Sequence, residues 1–300
     1  MCTVIWPTRS IRKTDPAFPP HLKLYDRMPD RIYVRGNLPD PEKKSVAIVG
    51  ARSCSAYGKA EAVRFAETLA EAGVQIISGM ALGVDSWAHI GAMQAKGRTF
   101  AVLGSGADVC YPVSHEELYR QILQCGGGIL SEYEPGTPAR PHHFPIRNRI
   151  ISALSDIVLV VEARHKSGSL ITASYALEQG KSIYAVPGRN HDPLSEGCNR
   201  LIADGAGVAW EPELLLEELG LAADRKKKAE KKDRKRKLSA ELRSREDIRT
   251  VYEALTRDEK TLALLAEETQ LSVPAVSRAL VRLCLEGYVN QSAGRGYIRV

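Results

Sequence analysis

Short apolar runs bounded by glycine recur along the chain, each followed by a stretch in which apolar residues return every three or four positions. The first, VAIVG at 46–50, is too short for a helix and predicts a strand buried on both faces. Ala60, Val63, Ala66, Leu69 and Ala70 then fall on one helical face that ends at Gly73. The unit repeats as strand 74–78 with helix 86–95, strand 99–104 with helix 116–124, and strand 128–133 with a helix around 147–153. Strand 157–163 leads to helix 170–178, strand 182–188 to a helix around 199–203, and a short strand at 208–210 to helix 212–219. Strict alternation forces parallel pairing through right-handed crossovers, with helices on both faces of the sheet. The expected fold is a doubly wound, extended Rossmann-like α/β domain over residues 45–220.

The flanks read differently. Residues 1–44 are rich in proline and charge, with strand pattern only at 31–34, and are expected to pack on the core as an irregular extension. Residues 246–300 predict helices at 247–255 and 262–268, a tight turn at 269–272, and a third helix at 273–286 with Val276, Leu280, Leu283 and Cys284 inward. A hairpin around Ser292 to Gly296 completes the pattern of a winged helix-turn-helix. In a DNA-reading version Ser272, Ser277, Arg278 and Arg282 would face the groove. Winged helices also serve as protein-docking modules, and the pattern leaves both uses open.

Charge sharpens this division. The 300 residues carry 42 basic and 36 acidic side chains, net +6. The segment RKKKAEKKDRKRK, 225–237, holds ten cations and two anions; the rest of the chain then has 32 against 34, a balance of −2. Residues 221–245 are thus a basic linker, and a nucleic-acid site on the main domain has to be a local patch. No apolar run approaches the roughly 18 to 20 residues that span a bilayer. The start, MCTVIWPTRSIRK, has no signal-peptide core, so no membrane association and a cytoplasmic location are expected. Six scattered cysteines without a C-x-x-C pair read as reduced thiols.

Ligands of such a sheet bind beyond the carboxyl ends of the strands. Those ends supply Gly50, Arg52 and Ser53, then Gly79, Gly104, and Arg164 with Lys166, Ser167, Gly168 and Ser169. Glycines admit a close approach of backbone to ligand, and serines and free amides bind phosphate oxygens. The first turn reads G-A-R-S-C-S-A-Y-G, with Arg52 where a dinucleotide fold needs glycine, and the second strand ends in Ser78-Gly79 without a ribose-binding carboxylate. A P-loop is absent too, so no cofactor is expected. Asp85, Glu132 and Glu162 near the rim are candidate acids or bases with His89 or His115 as partners, but no nucleophile stands at a recognisable spacing from a base. Asp85 reads as the cap of the helix that follows it. His142-His143 lacks a third ligand, so neither a catalytic nor a metal site is expected. A single-stranded nucleic acid needs cations along a groove and flat groups for its bases. Arg52, Arg147, Arg149, Arg164, Lys166 and Arg189 are the rim cations, with Phe144, Tyr57 and Tyr111 as stacking platforms. Arg147 and Arg149 diverge on a helix, so one is expected at phosphate and the other on an internal carboxylate such as Glu132 or Glu162; the spacing does not say which.

Eight ordered blocks resemble the bacterial DNA-processing protein DprA (Smf) family: VAIVGARSCSAYG, SGMALGVDSWAH, VLGSGADVCYP, SEYEPG, FPIRNRIISALSD, VVEARHKSGSLITA, YAVPG and GCNRLIADGA. The resemblance implies a non-enzymatic, homodimeric protein that binds incoming single-stranded DNA during natural transformation, protects it, and loads the RecA recombinase onto it. Arg52, the Arg147-Asn148-Arg149 block and the Ser167-Gly168-Ser169 turn would form the strand pocket. The chain departs from the family where the third block runs Tyr111-Pro112-Val113-Ser114-His115 in place of YP-x-E-N, and its short proline-rich start leaves no room for the N-terminal helical domain of many members. Two rivals are a nucleotide phosphoribohydrolase on a related fold, which would need P-G-G-x-G-T-x-x-E where this chain has Lys166 to Thr172, and a transcription regulator led by the winged helix.

Overall fold

The computed structural model describes residues 6–221, 245–256, 260–286, 288–291 and 296–299. Its contacts divide into two units, Met1–Arg225 and Lys226–Val300. The basic segment 225–237 lies outside the described residues.

In the first unit the strands are β1 Arg9–Arg12, β2 Arg31–Gly36, β3 Ser45–Val49, β4 Gln75–Ser78, β5 Thr99–Val102, β6 Gly128–Ser131, β7 Ile157–Val160, β8 Ser182–Ala185 and β9 Gly207–Val208. The helices are α1 Pro20–Lys23, α2 Ala56–Glu71, α3 Val84–Gln94, α4 Glu116–Gln124, α5 His143–Ala153, α6 Gly168–Glu178, α7 Glu196–Ala203 and α8 Pro212–Glu218. The nine strands form one sheet in the order β1-β2-β6-β5-β4-β3-β7-β8-β9. All neighbours from β6 to β9 pair in parallel, while β1 with β2 and β2 with β6 are antiparallel. The period of two along the strands sorts the core onto two faces. Ala47, Val49, Val158 and Val160 pack with residues of α1, α5, α6 and α7, whereas Val46, Ile48, Ile157 and Leu159 pack with α2, α3 and α8. Helices therefore cover both sides of a large, mostly parallel sheet.

Two boundaries differ from the sequence reading. The 1–44 segment is not wholly irregular: β1 and β2 extend the sheet by two antiparallel strands, and Phe18 and Leu22 are buried in its core. In β1 only Ile11 is buried, so four residues carry no readable alternation, and pairing with β2 defines the strand. Helix α5 begins at His143, a full turn before Arg147. Pro145 hides that start in the sequence, yet in a first turn proline gives up only an N–H that has no helical partner.

The second unit contains α9 Glu246–Ala254, α10 Leu262–Thr269 and α11 Val273–Leu285 with β10 Lys260–Thr261, β11 Val289–Gln291 and β12 Gly296–Arg299. The strands pair antiparallel in the order β10-β12-β11. Thr261 caps α10 by accepting a bond from Leu264 N at 3.3 Å, and Gln270 ends it in the left-handed region at φ 56°. Ile248, Val251, Leu265, Val276, Leu280, Leu283 and Val289 form a separate core, with Cys284 packed at its margin. The link between β11 and β12, Ser292 to Arg295, lies outside the described residues.

Candidate functional site

Strands β4, β5 and β6 leave β3 in one direction and β7, β8 and β9 in the other, so the sheet reverses its winding between β3 and β7. Beyond the carboxyl ends of those two strands opens a cavity of 430 Å³. A crevice at this point is where doubly wound sheets hold ligands. The turn after β3 contributes Gly50, Arg52 and Ser53; the turn after β7 contributes Arg164 and Lys166 through Ser169; α5 contributes Phe144, Arg147 and Asn148. A smaller depression of 60 Å³ beside it shares Arg52, Phe144 and Arg147 and adds Gly79, Leu82 and Tyr111.

The exposed wall is flat and cationic. The Arg52 guanidinium lies 5.2 Å from the centre of the Phe144 ring, and the Tyr111 ring lies 5.4 Å from that of Phe144 at a tilt of 36°. Such a surface suits an unpaired base, which offers a π-face whatever its sequence. Gly104 stands behind it rather than in it: its carbonyl accepts from His143 Nδ1 at 2.8 Å, and a Cβ there would be 3.0 Å from the Phe144 ring.

The floor is built on Arg147, only 4% exposed. Its Nη1 donates to the carbonyls of Gly79, at 2.8 Å, and Val102, and its Nε to Asn148 Oδ1 at 3.3 Å. A Cβ at Gly79 would sit 2.6 Å from the Arg147 Nη2, so a side chain there would displace the guanidinium. Burial pulls the Arg147 guanidinium down to about 10, so it is charged at neutral pH. Asp85, also buried, accepts from Gly79 N at 3.1 Å and Ala81 N at 3.4 Å. Burial pushes its carboxyl upward, with Arg147 and the two amides opposing. Gly83, not Asp85, holds the cap position of α3, so Asp85 secures the loop before that helix instead of capping it.

Asn148 Nδ2 donates to Gly168 O at 3.1 Å and thereby ties α5 to the start of α6. There Ser167 is the cap: its Oγ accepts from Ser169 N at 3.4 Å and shares a bond with Ser169 Oγ at 2.8 Å. Neither α5 nor α6 has an acidic residue in its first turn, so the positive ends of both helices are left for an anion. Four cations line the cavity, Arg52, Arg147, Arg164 and Lys166, against the single carboxylate of Asp85.

Of the two arginines of α5, Arg147 lines the cavity and Arg149 pairs with an internal carboxylate. Arg149 does not line the cavity; its Nη2 meets Glu132 Oε2 at 2.5 Å with both side chains 13% exposed. Two residues along a helix is about 200°, which carries Arg149 to the far side of α5. Glu162 is occupied as well, accepting from Ser55 N at 2.9 Å and Ser55 Oγ at 2.5 Å at the start of α2, where Gly58 leaves room for the carboxylate. His89 is buried with its Nδ1 2.6 Å from Thr99 Oγ1, and His115 Nδ1 donates to Met80 O at 3.0 Å. Tyr57 donates to Pro187 O at 3.1 Å, and neither Tyr57 nor Arg189 lines the cavity. Ile151, Thr172 and Leu194 also line the cavity; Thr172, one turn after Gly168, is recoverable from helical period alone. Among the described residues no group of three or more His, Cys, Asp or Glu could hold a metal ion. Nor, among the described residues, is any helix long and apolar enough to cross a membrane.

Against known proteins, the family model described as DNA recombination-mediator protein A matches residues 9–220. Protein Smf of Escherichia coli is 37% identical over 305 residues, taking in 100% of this chain and 80% of that protein. DNA processing protein DprA of Streptococcus pneumoniae is 41% identical over 196 residues, 65% of this chain and 68% of that one. The X-ray structure of the Streptococcus pneumoniae protein superposes with a TM-score of 0.66 at 39% identity, covering 71% of this chain and 74% of that chain. A structure of DNA processing protein A from Helicobacter pylori, reported for its single-stranded DNA binding mode, superposes with a TM-score of 0.64 at 29% identity over 71% of this chain and 96% of that chain.

Proposed function

The chain belongs to the DNA recombination-mediator protein A family, and from that premise we propose that its cavity holds single-stranded DNA independently of sequence during DNA processing in transformation. The observation that carries this reading is the Arg52–Phe144–Tyr111 wall beside two helix N-termini that have no acidic residue in their first turns. Phosphates seat on the amides and hydroxyls of Ser167 to Ser169 and on Arg52, Arg164 and Lys166, while a base lies against Phe144. Arg147 supplies buried charge from below. The protein acts by binding and not by catalysis: Glu132 and Glu162 are committed to Arg149 and Ser55, and Asp85 to the amides of Gly79 and Ala81. The family resemblance extends the proposal to a homodimer that shields the strand and delivers it to a RecA-type recombinase. We read the second unit as a winged helix from its three helices and its β10-β12-β11 sheet. A gel shift comparing labelled oligo-dT, the corresponding duplex and oligo-dT with excess mononucleotide tests the ligand class. Preference for the single strand, resistant to mononucleotide, is expected; equal retention of duplex, or full displacement by mononucleotide, contradicts the proposal.

A further inference from the structure

On α11 the buried row is Val276, Ala279, Leu280 and Leu283. The exposed side carries an apolar line as well, beside Arg278 and Arg282. Val273, Val281 and Leu285 are 50%, 56% and 78% exposed. With Ser277 they recur every fourth position, which stacks them in one line along the outside of the helix. A helix face turned to solvent ordinarily carries polar residues. Beside this line a cavity of 330 Å³ opens between α9 and α11, its walls formed by Arg245 and Ile248 on one side and Arg278, Val281, Arg282 and Leu285 on the other.

We propose that this groove docks an acidic amphipathic segment of a partner protein, with apolar side chains seated along Val281 and Leu285 and carboxylates against Arg245, Arg278 and Arg282. Three cations line the groove against one anion, Asp247. Arg278 has no ion-pair partner among the described residues. Arg282 with Glu286, at 3.0 Å, and Arg245 with Asp247, at 3.8 Å, form exposed pairs of the weak, readily exchanged kind. A helix that reads bases turns hydrogen-bonding side chains outward to the base edges, whereas the exposed side of α11 sets an apolar line, Val273, Val281 and Leu285 with Ser277, beside its two arginines, Arg278 and Arg282. A second copy of the chain is a poor occupant, because pairing the line with itself sets the Arg278 and Arg282 rows of both copies along one seam.

The test uses the full chain and two fluorescein-labelled peptides of about 14 residues, one with leucines at every third and fourth position among glutamates, the other of the same composition with the leucines dispersed. The patterned peptide is expected to bind in an anisotropy titration, the dispersed one at least about tenfold more weakly. Val281→Ser with Leu285→Ser, and separately Arg278→Glu, are each expected to weaken the patterned peptide by about tenfold or more with unchanged circular dichroism. No binding of the patterned peptide, equal binding of both peptides, or indifference to these substitutions overturns the proposal. So does a labelled duplex that displaces the peptide, which makes α11 a groove reader, or a dimer by light scattering that V281S/L285S converts to monomer, which makes the occupant a second copy.

Discussion

At the scale of single residues, the two arginines of α5 both support the fold but from different sides: Arg147 lines the cavity and Arg149 pairs with Glu132. Arg147→Met removes the donor to Gly79 O and Val102 O and leaves Asp85 without its buried countercharge. A loss of about 3 kcal/mol or more in denaturant unfolding is expected. Arg149→Met strands the Glu132 carboxylate, lowers stability by a comparable amount, and leaves oligo-dT affinity unchanged; adding Glu132→Leu restores most of the loss. His89 gives a pH signature. Burial holds its imidazole at about 3, against an ordinary 6.5, with Nε2 lacking a partner among the described residues. The unfolded chain therefore binds the proton that the folded chain refuses. Its contribution is intact above pH 6.5 and lost as pH falls toward 3, on the order of 5 kcal/mol over the window. His89→Asn, which keeps a donor to Thr99, is expected to flatten the acid limb of the stability curve measured by thermal melts. None of these roles is written in the local sequence. Arg147 and Arg149 are equivalent basic positions until the sheet decides which side of α5 faces the crevice, and His89 sits among apolar neighbours without marking its own burial.

At the scale of elements, the site depends on α5 and α6 being held together at their N-terminal ends. Asn148 makes that connection through Gly168 O, and its Oδ1 also accepts from Arg147 Nε. Asn148→Ala is expected to lower oligo-dT affinity by about tenfold, a cost of roughly 1.4 kcal/mol in binding, while Tm moves by only a few degrees. The glycine-bounded runs and the Ser167-Gly168-Ser169 turn were legible because strand length, period and capping chemistry are local properties. The start of α5 was not, because Pro145 mimics a boundary, and with it went the helical placement of Phe144 that forms the stacking wall. Strand β1 was illegible for a different reason: only one of its four side chains is buried, so tertiary pairing alone defines it.

At the scale of the whole molecule, strand alternation implied a wound sheet but not the strand order, and strand order is what brings the turns after β3 and β7 to one crevice. Their separation by over a hundred residues is closed only by the reversal of winding between those strands. Any attraction for phosphate at this crevice is local, since the chain outside residues 225–237 carries no net positive charge. The most direct measurement is anisotropy of labelled oligo-dT against the full chain over a salt series, with Arg52→Glu beside the unaltered protein. Three exposed cations at the cavity predict that log K falls against log salt with a slope of about −2 for each occupied pocket. Arg52→Glu is expected to abolish binding with an unchanged melting temperature; unchanged affinity in that variant, or affinity indifferent to salt, contradicts the assignment of the site.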